Sequence, residues 1–343
     1  MDFVFASLGL AILLIAGDSL VRGAVNLSLR LGVPALIVSL TIVAFGTSAP
    51  ELLISIQAVL DDVPGLALGN VVGSNIANIL LVLGIPALMT GLATAGTDTR
   101  RNYIAMMAAT VLFMALATTG RFAWPQGIVL LAGLALMLVS ASREALGHRR
   151  ELKLARAAEL AARCESLDPA ALDAEAEAEA EAEEEGEIEG ADPEMPWWKV
   201  ILFVVIGLAG LPLGAHILID AATGIARTYG IPDTVIGLTL VAVGTSLPEL
   251  ATTVMAAIRR QADVALGNVI GSNMFNLLAI IGVAAFVGPI PVDPEMLRVN
   301  LWVMFVAALL IAPAVFGGWR LGRRWGIAFV GLYVIYVVML LEH

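Results

Sequence analysis

Apolar stretches of about 20 residues, the length that carries a helix across a bilayer, recur along the whole chain between short polar breaks. They predict membrane spans over about 2–20, 35–59, 66–89, 102–119 and 124–141, and again over about 199–219, 233–257, 264–287, 299–317 and 325–341. A long polar insert separates the two sets of five. Hydrocarbon offers no partner to backbone N–H and C=O groups, so such spans are expected to be helices. The opening stretch, MDFVFASLGLAILLIAGDSL, has no basic n-region and no clean A-x-A site. It reads as the first span rather than as a removed signal.

Composition agrees with this pattern. The 343 residues are 59% apolar and 14% charged, with a mean hydropathy of +0.91, against about half and a quarter for soluble domains. An ordinary soluble enzyme and a disordered chain are excluded. A net charge of −11, from 30 acidic and 19 basic residues, also excludes a nucleic-acid binder, which needs clustered positive charge. The excess is local: 17 acidic and 7 basic residues fall between Arg143 and Lys199, leaving 13 and 12 elsewhere. The insert includes the run AEAEAEAEAEEEGEIEG (174–190), which belongs in water and reads as a flexible tether. One cysteine, Cys164, excludes a disulfide framework.

Lysine and arginine favour the cytoplasmic side of a membrane. With the N-terminus outside, 16 of the 19 basic residues fall on the cytoplasmic side, leaving Arg121, Arg227 and Arg298 outside. Ten spans, both termini outside and a cytoplasmic acidic loop follow. Trp124, Trp197, Trp198, Trp319 and Trp325 fall near span ends, where an interfacial belt places them.

The two halves carry the same text twice. Residues 34–84 match 232–282 at a constant offset of 198 without a gap, with 23 of 51 positions identical. The identities concentrate on Gly, Thr, Ser, Asn, Pro and Glu, which a lipid-facing helix avoids. An odd number of spans per half turns the second copy upside down in the membrane, an arrangement that builds secondary transporters with a midplane site. The expected fold is an all-α membrane protein of ten transmembrane helices, arranged as two inverted-topology five-helix repeats. The first repeat covers 1–142, the acidic loop 143–198 and the second repeat 199–343. Gly69, Gly73, Gly267 and Gly271 read as close helix-packing positions.

Packing does not explain Glu51 in span 2 and Glu249 at the equivalent place in span 7. An ionised carboxylate there costs roughly 2.5–3.5 kcal/mol even on lenient scales. No Lys or Arg lies in a predicted span interior, so its partner is a transported cation or a proton. Thr47 and Glu51 share a helix face at i, i+4, as do Thr245 and Glu249. Ser48 and Ser246 add hydroxyls. Pro50 and Pro248 lack an N–H, freeing the carbonyls of Gly46 and Gly244. Ser74 with Asn78, and Ser272 with Asn276, repeat the i, i+4 spacing in spans 3 and 8. This all-oxygen set suits hard cations such as Ca²⁺ and Na⁺ and argues against zinc, copper or iron.

Through AFGTSAPE with GNVVGSNIAN, and AVGTSLPE with GNVIGSNMFN, the chain resembles the cation/calcium exchanger superfamily, and within it the prokaryotic Na⁺/Ca²⁺ exchangers. The resemblance implies four sites in a central diamond on spans 2, 3, 7 and 8. Glu51 and Glu249 would hold Ca²⁺, with oxygens from Thr47 and Thr245. Ser48, Ser74, Ser246 and Ser272, with carbonyls at Ala44 and Ala242, would serve Na⁺. Asn78 would line the middle site. Its second-repeat partner is Asn276, where some members carry aspartate, which disfavours K⁺ co-transport. The implied activity is antiport of Na⁺ against Ca²⁺ across the plasma (inner) membrane by alternating access, with Ca²⁺ extruded. Spans 1 and 6 would move against a core of spans 2–5 and 7–10. Na⁺ and Ca²⁺ are the expected substrates, with no cofactor, nucleic acid or protein partner. H⁺- or K⁺-coupled Ca²⁺ exchange is the nearest alternative; a cation channel and an intramembrane enzyme are remote ones, since nothing here resembles a nucleophile–base pair.

The remaining polar residues get structural readings. Asp18 and Arg22, at i, i+4, are expected to pair. His216, at the repeat position of Asp18, reads as a hydrogen-bonded structural histidine. His148 and Cys164 read as loop residues. Asp61, Asp62, Asp233 and Asp293 read as solvated positions near external span ends.

Overall fold

The apolar stretches are helical in the computed structural model, which describes residues 2–92, 97–165, 192, 194–230 and 244–342. The helices are α1 (Asp2–Leu31), α2 (Ala35–Thr47), α3 (Ala49–Leu60), α4 (Pro64–Met89), α5 (Thr97–Ala117), α6 (Trp124–Glu165), α7 (Trp197–Thr228), α8 (Leu247–Ile258), α9 (Ala262–Val287), α10 (Met296–Gly317) and α11 (Arg323–Glu342). Among the described residues seven are long and apolar enough to cross a membrane, or eight when the bent pair α2–α3 counts as one span. α5 carries Arg100 and Arg101 near its start. α8, with 12 residues, begins just after 231–243, which lie outside the described residues.

Several helices outrun the expected spans. α1 continues to Leu31, α7 to Thr228, and α6 carries on through Glu165 into the polar insert. Hydropathy marks only the part of a helix that hydrocarbon would cover, and a polar extension rich in Ala, Glu, Leu and Arg keeps good helix propensity. Cys164 and His148 fall in that helical extension rather than in a loop. The run 174–190 and Asp233 lie outside the described residues.

Beside the helices, β1 (Arg121–Phe122) pairs antiparallel with β2 (Ile290–Pro291), tying the turn after α5 to the turn after α9. A single bridge between Leu92 and Leu321 likewise ties the segment after α4 to the turn after α10. These short pairings satisfy backbone groups where helices end.

The interior divides into two apolar clusters. The larger gathers side chains of α2–α6 and α8–α11, with Val21 and Val25 of α1, around Val71, Ile79, Met106, Phe113, Ile270 and Leu277. The smaller lies along α1 and α7 around Leu13, Leu20 and Leu211, where they cross α2 and α8. α1 and α7 touch through small residues. A Cβ on Gly214 would stand 2.8 Å from Leu13 N, and one on Gly23 2.8 Å from Val204 N. Such seams let helix backbones approach closely in a membrane. Gly267 and Gly271 of α9 play the expected packing role against α2: added Cβ atoms would lie 2.7 Å from Leu36 O and 2.6 Å from Ala44 Cβ. The repeat equivalents of Leu36–Ala44, which Gly69 and Gly73 would match, lie outside the described residues.

Asp18 meets Arg22 as expected, with Nε 3.0 Å from Oδ2, and also takes Arg259, at the end of α8, as a second partner. His216 lies 3.3 Å from Asp220 on an exposed face. Asp61, Asp62 and Asp293 are exposed.

Candidate cation-binding site

The site begins with one broken helix and one helix start of matching local geometry. α2 and α3 meet at Ser48 with a 42° bend. Ser48 has φ −86° and ψ 3°, and Ser246, before α8, has φ −90° and ψ 5°. Pro50 and Pro248 fall in the first turn of the helix that follows, the one helical position where a missing N–H costs nothing. Glu51 and Glu249 stand in those same first turns, where the positive end of the helix dipole and the open N–H groups favour a carboxylate. Ser48-Ala-Pro-Glu51 has the spacing of a capping box, yet neither serine makes a side-chain cap bond. Ser48 Oγ instead donates across the repeat to Glu249 Oε1 at 3.3 Å.

Both glutamates are 1% exposed. No ion pair among the described residues reaches either one. Thr47 Oγ1 lies 3.3 Å from Asn268 Oδ1 and 3.4 Å from Ser272 Oγ. Ser74, Asn78, Ser246, Ser272 and Asn276 are buried with them, and Thr245 lines a cavity of about 320 Å³ beside Ser74. Ala44 O accepts from Ser48 N at 3.0 Å and from Thr47 Oγ1 at 3.3 Å. Ala242 lies outside the described residues.

Buried polar atoms are normally paired. Among the described residues nine buried side-chain N or O atoms have no hydrogen-bond partner, and six belong to this site: Glu51 Oε2, Glu249 Oε2, Ser74 Oγ, Ser246 Oγ, Asn78 Oδ1 and Asn276 Oδ1. All six are oxygens. Unpartnered oxygens together with two buried carboxylates, and no cationic side chain among them, are the donor chemistry that hard cations prefer. The described residues hold no cluster of three or more His, Cys, Asp or Glu, so the softer donors of a zinc or iron site are not assembled there.

The sodium/calcium exchanger protein family model matches residues 2–142 and 199–342. The chain belongs to the sodium/calcium exchanger family. Among its members, the chain is 35% identical to the sodium/calcium exchanger MaX1 of Methanosarcina acetivorans, over 99% of this chain and 98% of that one. It is 32% identical to the putative antiporter CaxA of Alkalimonas amylolytica, over 90% and 88%. Among solved structures, the sodium-calcium exchanger NCX_Mj soaked with zero Na⁺ and Ca²⁺ superposes with a TM-score of 0.78 at 28% identity, covering 99% of this chain and 98% of that one. These relatives are exchangers and transporters, not enzymes.

The exchanger's structure adds residues that spacing alone did not single out. Asn268 Nδ2 donates to Thr253 Oγ1 at 3.1 Å and to the Glu249 carbonyl at 3.4 Å, steadying the start of α8. Asn70, its repeat equivalent, donates to Ser55 Oγ at 3.4 Å. Asn75 and Asn273 contact Asn276 and Asn78. All four asparagines are identical between the repeats, and that was the available signal. It carries no direction, so the partners of each became known only with the fold.

Proposed function

We propose that the chain exchanges Na⁺ for Ca²⁺ across the plasma membrane by alternating access, with Ca²⁺ extruded as Na⁺ flows in. The carrying observation is the set of six unpartnered buried oxygens around Glu51 and Glu249. Two buried carboxylates present a charge of −2, which one Ca²⁺ or two Na⁺ neutralise. Empty, the site would have to cross low-dielectric surroundings bearing that charge; loaded, it would not. This difference couples the two ions and suppresses uncoupled turnover. Glu51, Glu249, Thr47 and Thr245 form the Ca²⁺ position in this reading. Ser48, Ser74, Ser246, Ser272 and the carbonyls of Ala44 and Ala242 serve Na⁺, and Asn78 and Asn276 line the middle. The name of MaX1 and the Na⁺, Ca²⁺ and Sr²⁺ soaks of NCX_Mj structures favour the same ions.

Ten spans in two inverted repeats belong to the same proposal. In its favour, the matching backbone conformations of Ser48 and Ser246 stand 198 residues apart, as do the wide helical turns opening at Asn78 and Asn276. The two loop pairings also join nearly equivalent segments. The smaller cluster, formed mainly by α1 and α7 with a few side chains of α2 and α8, supports these two helices as the moving element. The lysine and arginine distribution supports external termini and a cytoplasmic loop.

The test is Na⁺-gradient-driven uptake of radiolabelled Ca²⁺ by proteoliposomes. Glu51→Gln and Glu249→Gln are each expected to reduce it by about 100-fold or more, since removing a buried charge ligand costs several kcal/mol. Undiminished uptake in either variant would remove the site assignment. Uptake driven by a pH gradient without Na⁺, or an absolute K⁺ requirement, would replace the coupling ion.

A further inference from the structure

Four asparagines and two methionines form a matched pair of chains leading into the ion site. Asn276 Nδ2 donates to Asn75 Oδ1 at 3.1 Å, and Asn75 Nδ2 lies 3.7 Å from Met304 Sδ. Asn78 Nδ2 donates to Asn273 Oδ1 at 3.1 Å, and Asn273 Nδ2 lies 3.7 Å from Met106 Sδ. Every residue of one chain stands 198 positions from its counterpart in the other. Each chain crosses the repeat boundary, so each half of the molecule orients the other half's asparagine. All four asparagines are buried. The inner end of each chain is an unpartnered oxygen, Asn276 Oδ1 or Asn78 Oδ1.

An amide can present either its oxygen or its NH₂ to a site, and only the oxygen binds a cation. A thioether has no hydrogen to give and only accepts, weakly. Met304 therefore faces the NH₂ of Asn75, which turns Asn75 Oδ1 towards Asn276. That oxygen in turn takes the NH₂ of Asn276 and leaves Asn276 Oδ1 for the site. Reversing Asn276 alone would set two acceptor oxygens against each other. Reversing both amides would set an oxygen against sulfur. Asn75 Nδ2 is additionally held by the Asn273 carbonyl at 3.3 Å, a second acceptor that fixes the same orientation.

We propose that Asn75 and Asn273 are positioning residues for ion exchange: they fix the amide polarity of Asn276 and Asn78 so that two carbonyl oxygens, not two NH₂ groups, face the transported cation. This rests on the cation-site reading above. It also explains how a site with two carboxylates presents further oxygen donors without further charge.

The experiment measures Ca²⁺ and Na⁺ binding to the purified full chain by calorimetry, alongside flux in proteoliposomes. Asn75→Leu removes the acceptor and is expected to weaken binding about tenfold, the lower range for loss of a ligand's outer partner. Asn75→Asp, held protonated by burial, keeps an oxygen facing Asn276 and an O–H in place of the NH₂ towards the Asn273 carbonyl, and is expected to stay within about threefold of wild type. In an Asn276→Ala background Asn75→Leu should have no further effect, whereas beside Asn78→Ala it should keep its full effect. The mirror cycle, Asn273→Leu with Asn78→Ala, gives the same result from the other repeat and stands in if an Asn75 variant fails to fold. Equal weakening by Asn75→Leu and Asn75→Asp, or additivity with Asn276→Ala, would reduce Asn75 to a packing residue and overturn the proposal. Wild type that binds both ions but shows no Na⁺-driven Ca²⁺ flux would sink the exchange reading while leaving the cycles readable. Wild type that binds neither ion would overturn both.

Discussion

Ser48 is the residue whose role differs most between local and tertiary context. Three residues ahead of Glu51, it occupies the first position of a capping box, and a soluble helix would spend its hydroxyl on the N-terminus of α3. Here that hydroxyl reaches Glu249, and the helix terminus does without a side-chain cap. Ser48→Ala is therefore expected to lower stability only by the loss of that bond to Glu249, about 1.5–3 kcal/mol, with no cap bond to lose besides. It should weaken cation binding by about tenfold, the value of one hydrogen bond to a charged group. A melting curve and a Ca²⁺ titration on the same preparation check both halves; a large fall in melting temperature with intact affinity would return Ser48 to a capping role. The candidate chemistry was readable this far from residue types: oxygen donors, two carboxylates and no cation to pair them. Which oxygen meets which was not, because these cross-repeat bonds join residues 195 to 225 positions apart.

At the scale of elements, the close approach of α9 to α2 places the repeat motifs against each other. A Cβ at Gly271 would fall 2.6 Å from Ala44 Cβ and 2.9 Å from Leu40 Cα, and neither atom is the end of a flexible chain that could swing away. Gly271→Ala should destabilise the detergent-solubilised protein by about 1–3 kcal/mol, as overpacking does, and displace Thr47 from Ser272. A drop in melting temperature together with weaker Ca²⁺ binding is the expected outcome; wild-type values for both would show that α2 is free to retreat. Hydropathy located these helices well but misjudged their ends. It also gave no sign of the wide π-type turns at Asn78 and Asn276, which depend on hydrogen-bond register rather than on polarity. Such turns recur at functional sites, and here both open on a residue of the ion site.

At the scale of the molecule, the described residues form a large packed core, and the α1–α7 pair lies against it through a second, smaller cluster. α1 is tied to the core by the bridge from Asp18 to Arg259, whose side chains are 22% and 12% exposed. If α1 shifts as the site changes its access, this bridge must open, and it therefore favours the state in which its own face is closed. Arg259→Gln should raise the apparent Ca²⁺ affinity on the face bearing Arg22 and Arg259 by about threefold to tenfold, and lower it on the other. The apparent affinity scales with the population of the binding-competent state. Equal values on both faces of oriented proteoliposomes, matching wild type, would show that the bridge does not bias access.

By itself the sequence determined the membrane class, the placement of most spans, the duplication and the two carboxylates. Each of these is a local or periodic property: hydrocarbon requires apolar length, and a constant offset exposes a repeat without any fold. Tertiary structure decided the capture of Glu249 by Ser48, the orientation of four amides and the division into two apolar clusters. These depend on which surfaces meet after the halves interlock, and on the rule that a buried polar atom pairs with whatever donor or acceptor the fold brings within reach. Among the described residues, six oxygens of the proposed site have no hydrogen-bond partner, and in the exchange proposal a cation satisfies that rule for them.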